Sequence, residues 1–65
     1  MNKLNSKEIS ILKAIALGNK TDDIAKNMQL SPNTIDTYIK IMLLKIGAVN
    51  RTNMIFIATK QGLIQ

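Results

Sequence analysis

The segment between Ser31-Pro32 and Gly47 most constrains what this chain can fold into. Serine is a preferred helix N-cap because its hydroxyl accepts a backbone N–H of the first turn. Proline just after it brings a helical φ and lacks an N–H that would otherwise go unpaired. Glycine at the far end takes the left-handed backbone that closes a helix. These signals predict a helix over about residues 32–46. Within it Ile35, Ile39, Met42 and Ile46 recur at i, i+4, i+7 and i+11, an aliphatic stripe that has to be buried. The opposite edge reads Asn33, Asp36, Thr37 and Lys40, then Ile41 and Leu44. Such a rod needs apolar partners on one side and leaves the other side open.

The rest of the chain supplies those partners. Asn5 and Glu8 have the spacing of a capping box, with Leu4 as a staple, and start a helix over about 6–17. Ile11, Leu12, Ile15 and Ala16 form its inward stripe, and Gly18 stops it. A second helix spans 21–28, with Thr21, Asp22 and Asp23 at the positive end of its dipole and Ile24, Ala25 and Met28 on one face. The small Ala25 permits a close helix crossing, and Gln29-Leu30 make the turn with Leu30 as a buried plug. Asn50 caps a fourth helix over about 51–61, stopped by Gly62, with Leu63-Ile64 folding back. The expectation is one all-α domain over residues 1–65, a four-helix bundle whose second and third helices form a helix-turn-helix.

Composition then narrows the function. The 65 residues contain neither Cys nor His, which removes disulfides, thiolate metal sites and the usual nucleophile–base pairs. The acids Glu8, Asp22, Asp23 and Asp36 are scattered along polar stretches, so neither enzyme chemistry nor a cofactor is expected. No apolar run approaches the ~20 residues that span a bilayer, and no secretory signal pattern is present. The default expectation is a cytoplasmic protein without a membrane role. Net charge is +5, and it is unevenly spread. Lys40, Lys45, Arg51 and Lys60 face no acid in residues 37–65, whereas the first 36 residues hold all the acids. A cationic second half suits a polyanion. With Tyr38 and Phe56 as the only aromatics, base stacking on single strands has little to work with.

The ordered set Leu4-Asn5, Lys7-Glu8, Ile11-Leu12, Gly18, Ile24-Ala25, Leu30-Ser31, Thr34-Ile35, Lys45-Ile46 and Asn50-Arg51 resembles the DNA-binding domain of the LuxR/FixJ/GerE family of bacterial transcription regulators. The resemblance runs over about residues 4–64. It implies a LuxR/GerE-type helix-turn-helix whose third helix enters the major groove of double-stranded DNA. Asn33, Asp36, Thr37 and Lys40 would then face base edges, and Lys20, Thr21, Ser31, Thr34 and Lys45 are candidate phosphate contacts. By the same resemblance the fourth helix is a dimerisation element, which points to Asn53, Phe56, Ile57 and Lys60. Glu8 and Arg51 are expected to form a structural ion pair between the first and fourth helices.

Several residues depart from the family pattern. Asp36 stands where many relatives have Lys or Arg, Ile41 and Leu44 are apolar where polar residues prevail, Ile9 and Leu17 do likewise on the first helix, and Met54 replaces a usual Ala. The length leaves no room for an N-terminal control domain, so the chain resembles the stand-alone GerE type or an excised fragment. The leading expectation is a sequence-specific, homodimeric transcription regulator. A different class is a small interaction protein that heterodimerises with a larger LuxR-type regulator, motivated by Asp36, Ile41 and Leu44. A sigma-factor-like promoter reader shares part of the core, but the Lys45-Ile46…Asn50-Arg51 segment argues against it.

Overall fold

A computed structural model describes residues 4–64. Four helices follow one another: α1 (Ser6–Ala16), α2 (Thr21–Met28), α3 (Pro32–Ile46) and α4 (Arg51–Lys60), with no strand among the described residues. The starts of α1, α3 and α4 coincide with side-chain caps. Asn5 Oδ1 accepts the Glu8 N–H at 2.8 Å while Glu8 Oε1 accepts the Asn5 N–H at 2.9 Å, a reciprocal capping box. Ser31 Oγ accepts the Thr34 N–H at 3.1 Å with Pro32 as the first helical residue. Asn50 Oδ1 accepts the Asn53 N–H at 2.8 Å, and Asn53 Oδ1 in turn accepts the Val49 N–H at 3.0 Å.

The helix ends share one device. Beyond each helix an N–H reaches back five residues to a carbonyl: Asn19 to Ala14, Leu30 to Ala25, Ala48 to Leu43 and Leu63 to Ala58, at 2.9–3.0 Å. The bond requires a left-handed residue just before the donor. At the end of α3 that residue is Gly47 (φ +80°), for which the conformation carries no Cβ penalty. At the end of α2 it is Gln29 (φ 59°), the one non-glycine residue with positive φ among those described. α1 and α4 each stop one residue short of the expected ends, with Leu17 and Gln61 as C-caps.

The core gathers one stripe from each helix: Ile11 and Leu12, Ile24 and Ala25, Ile35, Ile39 and Met42, Met54 and Ala58, closed by Ile64 from the returning tail. Ala25 is 2% exposed where α2 approaches its neighbours. The expected inward stripe of α1 needs correction. Ile15 is half-buried and Ala16 is exposed, while Glu8 is buried at 2% exposure. The stripe therefore runs Glu8, Ile11, Leu12, Ile15, one turn nearer the N-terminus, because Glu8 has an interior partner described below. Leu30 is half-buried against the core rather than fully enclosed. Met54, a departure in the fourth helix, is fully buried and fills interior volume. Among the described residues no single helix is long and apolar enough to cross a membrane. α3 and α4 pass by length and composition only as a pair bent by 52°, and their apolar faces are shared with the core.

Candidate nucleic-acid interface

α3 sorts its side chains by its period of 3.6 residues. With Ile35, Ile39 and Met42 committed to the core, Asn33, Thr37, Lys40 and Leu44 fall on the opposite side at i, i+4, i+7 and i+11, and all four are exposed. Ile41 lies beside them at 41% exposure. The Thr37 hydroxyl donates to the Asn33 carbonyl at 3.0 Å, which satisfies it within the helix and leaves the methyl as the uncommitted group of this exposed residue. Lys40 forms no hydrogen bond or ion pair with any of the described residues, so its ammonium is available to an external acceptor. Asn33, Thr37 and Lys40 thus present an amide, a methyl and a cation along one line.

Two ion pairs brace the flanks of this helix. Lys45 Nζ donates to both oxygens of buried Glu8, at 3.0 and 3.1 Å, joining α3 to α1. On the other flank Arg51 Nη2 donates to Asp36 Oδ1 at 3.3 Å, joining α4 to α3, and Arg51 Nη1 donates to Thr21 Oγ1 at 3.3 Å at the start of α2. The expected Glu8–Arg51 pair is thereby replaced: each residue is paired, but with a side chain of α3. A carboxylate as buried as Glu8 takes the nearer ammonium, and the first turn of α4 lies beside Asp36 and Thr21. Arg51 as an organiser of three helices was missed by sequence reasoning. The expectation of a structural ion pair held for Arg51, but its partners are Asp36 and Thr21 rather than Glu8.

The remaining candidate residues divide by how occupied they are. Lys20 is exposed just before α2 and supplies no side-chain cap to it. Ser31 and Thr34 are joined through their hydroxyls at 2.9 Å at the start of α3, with Ser31 exposed and Thr34 half-buried. Thr21 is half-buried and its oxygen accepts from Arg51. Lys45 is engaged by Glu8, so its charge is already compensated inside the chain. Lys20 at the start of α2, with Ser31 and Lys40 at the start and middle of α3, are exposed and accessible; Lys45 is set apart by its pairing with Glu8.

On α4 the outward line is Thr52, Phe56, Thr59 and Lys60, all exposed. Phe56 is 60% exposed, with the Lys60 ammonium 5.5 Å from its ring centroid. Asn53 and Ile57, expected beside them, are half-buried, and the Asn53 side chain is occupied by Val49. Two further exposed apolar residues flank the end of α3: Leu44 in its last turn and Val49 just beyond it, 85% and 84% exposed.

Residues 2–58 match the family described as bacterial regulatory proteins, luxR family. The chain is also similar to three proteins of Bacillus subtilis (strain 168). It is 40% identical over 63 residues to the uncharacterized transcriptional regulatory protein YvfU, covering 97% of this chain and 32% of that one. It is 36% identical over 62 residues to the transcriptional regulatory protein YdfI, covering 95% and 29%. With the uncharacterized transcriptional regulatory protein YxjL it shares 30% identity over 59 residues, covering 91% and 27%. The chain thus spans about a third or less of the length of the curated relatives it matches.

Proposed function

This chain belongs to the luxR family of bacterial regulatory proteins, and we propose that it binds double-stranded DNA sequence-specifically as a transcription regulator, with α3 in the major groove. The observation that carries this reading is the exposed line Asn33–Thr37–Lys40 on the side of α3 opposite its buried stripe. An amide can read adenine, an uncommitted methyl can meet a thymine methyl, and an unpaired ammonium can donate to guanine O6/N7 or to a phosphate. Lys20, Thr21, Ser31 and Thr34, around the starts of α2 and α3, are assigned to phosphates, which fix register without reading sequence. Lys45 was a further phosphate candidate. Its pairing with Glu8 favours a structural role instead. A regulator of this kind works in the cytoplasm, where bacterial DNA lies.

The proposed assembly is a homodimer through α4, on a site of two half-sites. Exposed Phe56, with the Lys60 ammonium beside its ring, supports it as an apolar group open to a partner. Half-buried Asn53 and Ile57 belong to the margin of that contact. The test of the reading is a gel-shift series on the intact chain with Lys40→Ala and Thr37→Ala, using DNA selected from a random pool. Loss of selective binding in both supports α3 as the reader, and undiminished binding by both removes it.

The exposed Ile41, Leu44 and Val49 favour a second reading, in which the chain modulates a larger LuxR-type regulator by heterodimerising with it. Absence of DNA binding by the pure chain, with stable association to such a regulator, would select it over the first.

A further inference from the structure

The carboxylate of Asp36 is out of place on a helix that is to approach phosphates, and its surroundings suggest a use for it. Asp36 lies on the edge of the exposed side of α3, one turn on from Asn33 and one turn before Lys40. Its Oδ1 is held by Arg51 Nη2 at 3.3 Å, while Oδ2 has no hydrogen-bond partner among the described residues. The guanidinium is itself anchored, because Nη1 donates to Thr21 Oγ1 at 3.3 Å. The Asp36 and Arg51 side chains are 50% and 47% exposed, so the pair sits at the surface. Arg51 therefore does two things for Asp36. It offsets the negative charge that would repel the backbone of a nucleic acid, and it fixes one oxygen so that the other has a defined position.

We propose that Asp36, positioned by Arg51, reads the N4 amino group of a cytosine at the edge of the α3 footprint, so that the preferred site carries a C·G pair there. This rests on the reading of α3 as the major-groove helix. An ionised carboxylate only accepts hydrogen bonds. Cytosine offers the major groove a donor amino group, whereas guanine offers the acceptors N7 and O6, and thymine offers the acceptor O4 and a methyl. Adenine has an N6 donor, but its N7 acceptor lies alongside and opposes a second carboxylate oxygen. Asp36 thus rewards one base and rejects guanine and thymine by facing acceptor with acceptor, a repulsive source of specificity. Its departure from the cationic residues common at this place in the family changes the base that is read rather than merely weakening the grip.

The test is selection of bound sequences from a random double-stranded pool with the intact chain and with Asp36→Ala, Asp36→Asn and Arg51→Lys, each checked for folding by thermal unfolding. The intact chain is expected to select a position that is strongly cytosine. Asp36→Ala should lose about tenfold discrimination there, on the order of one good base contact, while other positions keep theirs. Asp36→Asn should move that position toward adenine, since an amide pairs with N6 and N7 together. Arg51→Lys should blur it without moving the others. A purely structural Asp36 has no means of producing a base switch at one position. If Asp36→Ala leaves every position unchanged, or tightens binding to all sequences equally as the loss of a repulsive charge would, the proposal fails while the α3 reading stands. If the intact chain selects no sequence at all, both fail.

Discussion

Glu8 and Lys45, 37 positions apart in the chain, meet at 3.0 Å in a pair whose carboxylate is 2% exposed and whose ammonium side chain is 33% exposed. Lys45 and Asp36 lie about 180° apart around α3, at roughly 100° per residue. The Lys45–Glu8 and Asp36–Arg51 pairs therefore hold opposite flanks of that helix, leaving Asn33, Thr37 and Lys40 between them in the open. The pairs differ in burial, and so in what they contribute.

Removing one partner of the Glu8–Lys45 pair strands a charge beside the core. Glu8→Ala is expected to destabilise the domain by about 3 kcal/mol, since it also removes half of the α1 capping box. The double variant Glu8→Leu/Lys45→Met should recover much of the loss. Urea unfolding of Glu8→Leu, Lys45→Met and the double gives the coupling directly. The same cycle on Asp36 and Arg51, half-exposed, should give about 1 kcal/mol or less. Equal coupling in the two cycles would contradict the difference in burial.

Gln29 carries a left-handed backbone at the end of α2, where α3 has Gly47. Gln29→Gly is expected to raise stability by roughly 0.5 kcal/mol, because relief of the Cβ penalty exceeds the added chain entropy. Gly47→Ala should lower it by about 1 kcal/mol, although nothing lies within 4 Å of the added methyl, since the cost is conformational. Thermal unfolding midpoints moving in opposite directions would bear this out.

Ser31→Ala removes the hydroxyl that accepts the Thr34 N–H, and about 1 kcal/mol of stability is expected to go with it. If Ser31 also touches a phosphate, DNA affinity measured well below the unfolding temperature should fall equally on all sequences. A loss confined to certain sequences would place Ser31 at a base edge instead.

Affinity for DNA is expected to fall steeply with salt, and Lys20→Ala should reduce the slope of log K against log salt by about 1. Lys45→Met should change that slope much less, because its charge is compensated by Glu8. Titrations at several salt concentrations distinguish the two lysines.

Phe56→Ala should leave stability within about 0.5 kcal/mol, as the residue is 60% exposed, yet should weaken self-association if α4 forms the dimer contact. Sedimentation velocity over a concentration series is the measurement, and an unchanged distribution would move the interface elsewhere.

What the amino-acid sequence determined by itself is whatever acts within a turn or two of helix. Asn5 with Glu8, Ser31 with Pro32, and Asn50 each start a helix where they were expected to, since a cap and its N–H lie three residues apart. The aliphatic stripe of α3 likewise fixed which of its sides stays open. Only the tertiary structure decided who pairs with whom. Glu8 was expected to pair with Arg51, but the crossing of α1 against α3 brings Lys45 to it and leaves Arg51 to Asp36 and Thr21. It also decided that Ala16 stays outside while Glu8 goes in, because periodicity gives an angle around a helix but not the height at which its neighbour crosses. Long side chains choose partners by reach across such crossings, and no local pattern encodes that distance.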